Sequence, residues 1–258
     1  MLRWCRWTLI SVQFLTRFPF HIKGEVSEQD LGRSTAFFPV AGLVVGLFLL
    51  VVYRAALLLW PQQVAAVVAL AGLVVVTGGL HLDGLMDTAD GMMSGKSREK
   101  MLDIMKDSRV GAMGVIACFL ILALKLMGLS FLAPQNAYRV MIIFTVTGRC
   151  SMTWALAGFR YARTGSGTGR PFAENVTARE GVVATVIALA LVTAVGGFAG
   201  LVLAATGVVC GLAIACYINR KLGGLTGDTY GAVNEITETA VILAALAMEG
   251  QGWLSWVL

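Results

Sequence analysis

Residues 182–218 read VVATVIALALVTAVGGFAGLVLAATGVVCGLAIACYI, 37 consecutive positions without a charged side chain. One helical crossing of a bilayer takes ~20 residues, so this stretch is long enough for two. Gly196, Gly197 and Gly200 sit near its middle and mark where the chain turns back, giving helices over 181–198 and 200–218. The run does not alternate polar and apolar positions, which excludes the ~10-residue dyad segments of a transmembrane barrel. The rest of the chain agrees. Of 258 residues, 57% are hydrophobic and 14% charged, against ~25% charged in a soluble domain, and mean hydropathy is +0.78. Further apolar segments fall at 37–60, 63–80, 110–133, 138–159 and 239–257. The expected fold class is therefore all-α: a polytopic helical membrane protein of about seven transmembrane helices, in a single integral-membrane domain over 1–258. The basic, aromatic stretch from Met1 to Phe20 has no compact apolar core followed by a small-residue cleavage site, so it reads as an interfacial helix rather than a signal peptide.

Charge placement orients these spans. With the N-terminus cytoplasmic, the loops 81–109, 160–180 and 219–238 are cytoplasmic too, and that side holds 16 of the 20 Lys and Arg residues. Arg54 and Lys125 are expected to snorkel at the outer helix ends, Arg139 lies in an outer loop, and Arg149 falls mid-helix. The net charge of +5 is spread between apolar spans and gathers on no single face, which argues against a nucleic-acid partner. Fourteen of the 15 carboxylates lie on the same side, Glu249 being the exception. Insertion rules do not explain that second asymmetry. It suggests a cytoplasm-facing site that needs both signs of charge, as a metal–phosphate centre does. The five cysteines form no C-x-x-C pair and lie mostly in apolar stretches, which points to neither a disulfide framework nor a zinc site.

The densest polar feature is residues 78–95, GGLHLDGLMDTADGMMSG. Asp83, Asp87 and Asp90 are spaced i, i+4, i+7, one stripe on a helix. Like charges at that spacing repel, and burial beside an apolar span raises the cost. A divalent cation removes it, and Mg²⁺, which takes oxygen ligands and shares one or two carboxylates with substrate phosphates, is the natural candidate. A solvated acidic loop is the plainer alternative, but Gly84, Gly91 and Gly95 punctuate the stripe. His81 lies nearly opposite the stripe, where packing competes with catalysis as its role.

Two further segments carry charge. In 96–114, KSREKMLDIMKDSRVGAMG, Asp103 and Asp107 interleave with Lys100, Lys106 and Arg109. Asp87-x-x-Asp90-Gly with Asp103-x-x-x-Asp107 resembles the signature of CDP-alcohol phosphotransferases, although the interval is shorter and the alanine–arginine pair after the glycine is absent. Lys106 and Arg109 are candidates to hold phosphates, with positive-inside anchoring as the alternative. In 219–238, NRKLGGLTGDTYGAVNEITE, Gly223, Gly224, Gly227 and Gly231 surround Asp228, Glu235 and Glu238. Glycines let backbone N–H groups approach an anion, so Gly224, Asp228 and Glu235 are candidate binding residues. Arg149, an intramembrane charge, is a functional candidate by position, and an ion pair is its structural alternative.

Taken together, Phe14-Leu-Thr-Arg-Phe-Pro19, HLDGLMDTADG, MKDSRVGAMG and GGLTGDTYGAVNEITE resemble the cobalamin synthase family, the adenosylcobinamide-GDP ribazoletransferases, in order along nearly the whole chain. Met86 stands where that family is expected to have a smaller residue. The resemblance implies transfer of the cobinamide phosphate of adenosylcobinamide-GDP to a ribose hydroxyl of α-ribazole or its 5′-phosphate, with GMP as leaving group. It also implies Mg²⁺ and a multi-pass place in the plasma membrane, the inner one in a Gram-negative cell. Asp83, Asp87 and Asp90 would supply the metal site, Asp107 would join it or act as base, and Lys106 and Arg109 would hold phosphates. A homo-oligomer, or contact with other enzymes of nucleotide-loop assembly, is left open. Two rivals are a CDP-alcohol or prenyl transferase, distinguished by its leaving group, and a secondary transporter, which would show inverted repeats and acids at the bilayer midplane.

Overall fold

A computed structural model describes residues 3–22, 24–163 and 167–254. The ends of the expected segment 239–257 and of the N-terminal helix, and part of the loop 160–180, therefore lie outside the described residues. Helix α1 (Arg3–Leu15) precedes α2 (Glu28–Ser34), which continues through a 3-10 turn (Thr35–Phe37) into α3 (Phe38–Leu57). Then follow α4 (Gln62–Thr77), α5 (Leu80–Met93), α6 (Arg98–Ile104), α7 (Ala112–Phe131), α8 (Pro134–Gly158), α9 (Arg170–Asn175), α10 (Ala178–Leu222) and α11 (Gly227–Gly250). Five of these stretches are long and apolar enough to cross a membrane, and α4 with α5 forms a sixth, bent by 88°.

The 45-residue α10 is two antiparallel helices. Gly197 has φ 51° and ψ −140°, and a Cβ on Gly200 would lie 2.5 Å from the Val192 carbonyl oxygen. Eight residues of straight helix would separate those positions by ~12 Å. The chain thus reverses where the glycine cluster predicts it, and counting both halves brings the crossings to seven. Both halves pack on α8, whose middle is buried on every side from Val140 to Thr153. The bundle therefore closes around α8, with α3 and α11 completing its surround.

The two ends of the bundle differ. At one, Gln62 donates to the Ser130 carbonyl at 3.0 Å, and Glu249 accepts from the Ala133 amide at 2.8 Å and from Asn136 Nδ2 at 2.9 Å. The single carboxylate of that side thus caps the start of α8, where an anion is favoured. Arg54 stays exposed there and lies over the Tyr138 ring. At the other end the segments 81–109, 160–180 and 219–238 meet, but they are not the loops expected: α5 and α6 occupy most of the first, α9 and the start of α10 much of the second, and α11 the third from Gly227 on, which draws Glu235 and Glu238 into the bundle. Arg98 donates from Nε to the Leu222 carbonyl at 2.6 Å and from Nη2 to Ala162 at 3.0 Å, satisfying the last turn of α10.

Helix α5 makes this second end unusual. Gly78 and Gly79 both take left-handed backbone, φ 63° and 69°, and turn the chain out of the direction of α4. We read α4 as the crossing and α5 as an arm outside it. The arm lies across the beginnings of α11 and α7, and glycines permit the approach: a Cβ on Gly84 would meet the Asp228 carbonyl oxygen at 2.5 Å, and one on Gly114 the Asp90 carboxylate at 2.5 Å.

Candidate active site

The crossing of α5 over α11 assembles four charged groups. Asp83, exposed, and Asp87, half-buried, share one face of α5. Asp228 stands in the first turn of α11, behind a Thr226 cap. Arg163, from the loop after α8, donates to Asp228 Oδ2 at 2.6 Å and to the Met105 carbonyl at 3.3 Å. The bridge between Tyr161 and Leu225 holds that loop in place. Its two hydrogen bonds, Ala162 N to Leu225 O and Leu225 N to Arg160 O, are both 2.8 Å. Gly224 serves this bridge: any Cβ there would meet the Arg160 carbonyl oxygen at 2.5 Å. Its role in the described structure is thus close backbone packing.

Three carboxylates against one guanidinium leave the cluster short of positive charge. The consequence falls on Asp87, whose carboxyl is pushed up to about 7, first by burial and then by the Asp228 and Asp83 charges, with Arg163 opposing them. Asp90, on the same stripe, is used differently. Its Oδ2 accepts from the Gly111 amide at 2.7 Å and its Oδ1 from Gly114 at 2.8 Å, capping α7 across the loop. Among the described residues no three acid, histidine or cysteine side chains already enclose an ion site. The chemistry of the donor set nonetheless fits a divalent cation that brings its own waters and shares substrate oxygens, since Asp83 and Asp87 lack a counter-charge of their own.

The other sequence candidates divide between two places. Asp107 and Arg109 pair on the exposed loop before α7, Nε to Oδ1 at 3.0 Å and Nη2 to Oδ2 at 2.6 Å. This contact holds the Asp107 carboxyl down at about 2, far from the range of a base working near neutrality. Lys106 is exposed beside them. Arg149 and Glu235 lie instead within the bundle, in a second cluster. Lys125 donates to Glu235 at 2.7 Å and to Glu238 at 2.5 Å, and Arg149 also pairs with Glu238. Lys125 is wholly buried, so the expected snorkelling does not occur: two buried acids of α11 hold its ammonium inside, where an unpaired charge would be untenable. His81 is buried beside this cluster, its Nδ1 at 3.4 Å from Arg149 Nη2 and 3.2 Å from Asn234 Nδ2.

Sequence reasoning missed Arg163 and Lys125. In the sequence Arg163 is one of 16 basic residues on the side assigned to the cytoplasm, and Lys125 is a residue placed to snorkel. For Arg163 the available signal is that 14 of the 15 acids share their segments with 16 basic residues, so that some of them must pair; Lys125 carries no local signal.

A cavity of about 120 Å³ opens beside Asp83 and Asp228, walled by Phe14, Phe38 and Phe172. One end of the bundle thus offers carboxylates, a guanidinium and an aromatic recess side by side, the parts needed to bring an anion and a flat group together.

The chain matches the family model described as cobalamin-5-phosphate synthase over residues 8–246. It is 41% identical to the adenosylcobinamide-GDP ribazoletransferase of Roseiflexus sp. (strain RS-1), covering 92% of this chain and 88% of that one. It is 38% identical to that of Syntrophobacter fumaroxidans, covering 93% and 97%, and 32% identical to that of Clostridium acetobutylicum, covering 93% and 95%. No solved structure matches the chain. With nearly the full length of both partners aligned, the chain belongs to the cobalamin-5-phosphate synthase family.

Proposed function

We propose that the protein is an adenosylcobinamide-GDP ribazoletransferase, acting at the end of the bundle where α5 crosses α11. A ribose hydroxyl of α-ribazole, or of its 5′-phosphate, attacks the phosphorus on the cobinamide side of the pyrophosphate. The new P–O bond forms as the bond to the GMP phosphate breaks, and GMP leaves. The product is adenosylcobalamin or its 5′-phosphate. The observation that carries this reading is the meeting of Asp83, Asp87, Asp228 and Arg163 beside the aromatic cavity, in a chain whose full-length relatives bear that name.

The residues divide the work. Asp83 and Asp87 would hold Mg²⁺, which, when bound, neutralises charge on the pyrophosphate. Arg163, held by Asp228, presents its planar fork to phosphate oxygens. The hydroxyl proton passes to Asp83 or Asp228, the two acids that line the cavity. Lys106 and Arg109 approach the same phosphates from the solvent side. The site end faces the cytoplasm of a plasma membrane, inner in a Gram-negative cell. Purified protein given adenosylcobinamide-GDP, α-ribazole and Mg²⁺ should release GMP, dependent on both organic substrates. Release of GMP without α-ribazole, or none with it, overturns the assignment.

A further inference from the structure

The cavity beside the acids permits a sharper statement, which rests on the transferase reading. Its apolar wall is three phenylalanine rings from α1, α3 and α9. The Phe14 and Phe172 centroids are 4.3 Å apart, and Phe38 lies 6.1 Å from Phe172. Among the polar residues that line it, His81 and Tyr230 are buried, at 2% and 3% exposure. Neither His81 Nε2 nor Tyr230 Oη has a hydrogen-bond partner. Buried donors left unmade are costly, so two on one cavity wall mark a place for an acceptor that the chain does not supply.

The protonation of His81 follows from its neighbours. Nδ1 faces Arg149 Nη2 and Asn234 Nδ2. Both are donors, so Nδ1 accepts and the ring proton sits on Nε2. The wall therefore offers an N–H, an O–H and a cluster of phenyl rings. That combination suits a flat aromatic heterocycle with an unprotonated ring nitrogen.

We propose that this cavity is the subsite for the base of the ribazole acceptor, whose unsubstituted ring nitrogen accepts from His81 Nε2–H, with the Tyr230 hydroxyl donating to a ribose oxygen, while the ring lies against the phenylalanines. A cavity of ~150 Å³ takes a benzene ring, so about 120 Å³ seats the ring-nitrogen end of the bicyclic base and leaves the sugar toward the mouth. Asp83 and Asp228 line the same cavity, which sets the ribose hydroxyls beside the acids.

Equilibrium binding to the purified full chain, without Mg²⁺ or corrinoid, tests this apart from turnover. The probes are α-ribazole, an indole riboside in which C–H replaces the ring nitrogen, and guanosine. The wild type should bind α-ribazole about tenfold tighter than the indole riboside. His81→Asn keeps an acceptor toward Arg149 and Asn234 but loses Nε2–H, and should bring that ratio close to one. Tyr230→Phe removes only an unpartnered hydroxyl. It should weaken α-ribazole binding severalfold with no fall in thermal midpoint, which keeps the proposal testable if the histidine variant does not fold. A wild-type ratio near one, a ratio unchanged in His81→Asn, or guanosine competing as well as α-ribazole overturns the subsite. If the binding pattern appears but GMP is never released, the reaction assignment fails and the subsite stands.

Discussion

At the scale of single residues, three aspartates with one spacing do different things, and the difference is measurable. Asp83 and Asp87 face the cluster that is short of positive charge, whereas both oxygens of Asp90 cap α7. Asp83→Asn and Asp87→Asn should each lower GMP release by orders of magnitude at limiting Mg²⁺ with the thermal midpoint held. Asp90→Ala should lower the midpoint as well, because losing a helix cap costs about 1 kcal/mol. An Asp87→Asn enzyme with wild-type rates removes that residue from the site. The Asp87 carboxyl at about 7 also gives a pH signature. Below that value it is neutral and a poor ligand, so Mg²⁺ binding requires loss of a proton and its affinity should fall about tenfold per pH unit on acidification. Asp107, near 2, stays ionised throughout and contributes nothing to this trend. Mg²⁺ titrations at pH 6 and pH 8 check the sign, and equal affinities at both contradict it. The stripe itself is legible in the sequence because helical spacing is local. That Asp90 is diverted to α7, and that Arg163 finds Asp228 65 positions away, depend on how α5 crosses the bundle, which no local pattern encodes.

Helices are where the sequence is most legible and where its one clear error lies. Uncharged length and a glycine cluster suffice to cut α10 into a hairpin, because both act within a few residues of the turn. The 88° bend between α4 and α5 is written in the same way, by two successive left-handed glycines. Lys125 shows the limit. Its place along α7 is compatible with snorkelling, and only the approach of α11 supplies the two carboxylates that keep it inside. This cluster ties α7, α8 and α11 together, and His81 adds α5. Lys125→Met should therefore leave two buried acids facing Arg149 alone, at a cost of about 3–5 kcal/mol. Lys125→Met with Glu235→Gln removes one charge of each sign and should recover much of the loss. Thermal midpoints of the two variants in the same detergent decide it: a double variant no more stable than the single one would mean that packing, not charge balance, sets the effect.

The chain carries most of its charge in segments at one end, and that asymmetry predicts its orientation. Sixteen of 20 basic residues and 14 of 15 acids belong to segments assigned to one side of the membrane. The fold brings those segments into contact: Arg98 reaches Leu222 and Ala162, and Arg163 reaches Asp228. Basic residues near span ends resist translocation, so we propose that this end faces the cytoplasm. The acids do not oppose that argument, because carboxylates weigh little in orienting spans. The opposite end carries Arg54 and Arg139, and its lone acid, Glu249, is occupied in capping α8. Seven crossings then put α1 and the end of α11 on opposite sides. Single cysteines replacing exposed Ser97 and exposed Gln135, in a background with the five native cysteines removed, report the two ends separately. A membrane-impermeant thiol reagent applied to intact cells should label position 135 and spare 97, with both labelled after permeabilisation. The reverse pattern would invert the protein and place its acids outside, where GMP release would have to draw on substrates beyond the membrane. Labelling of both positions in intact cells would separate ends that the seven-crossing reading keeps on different faces.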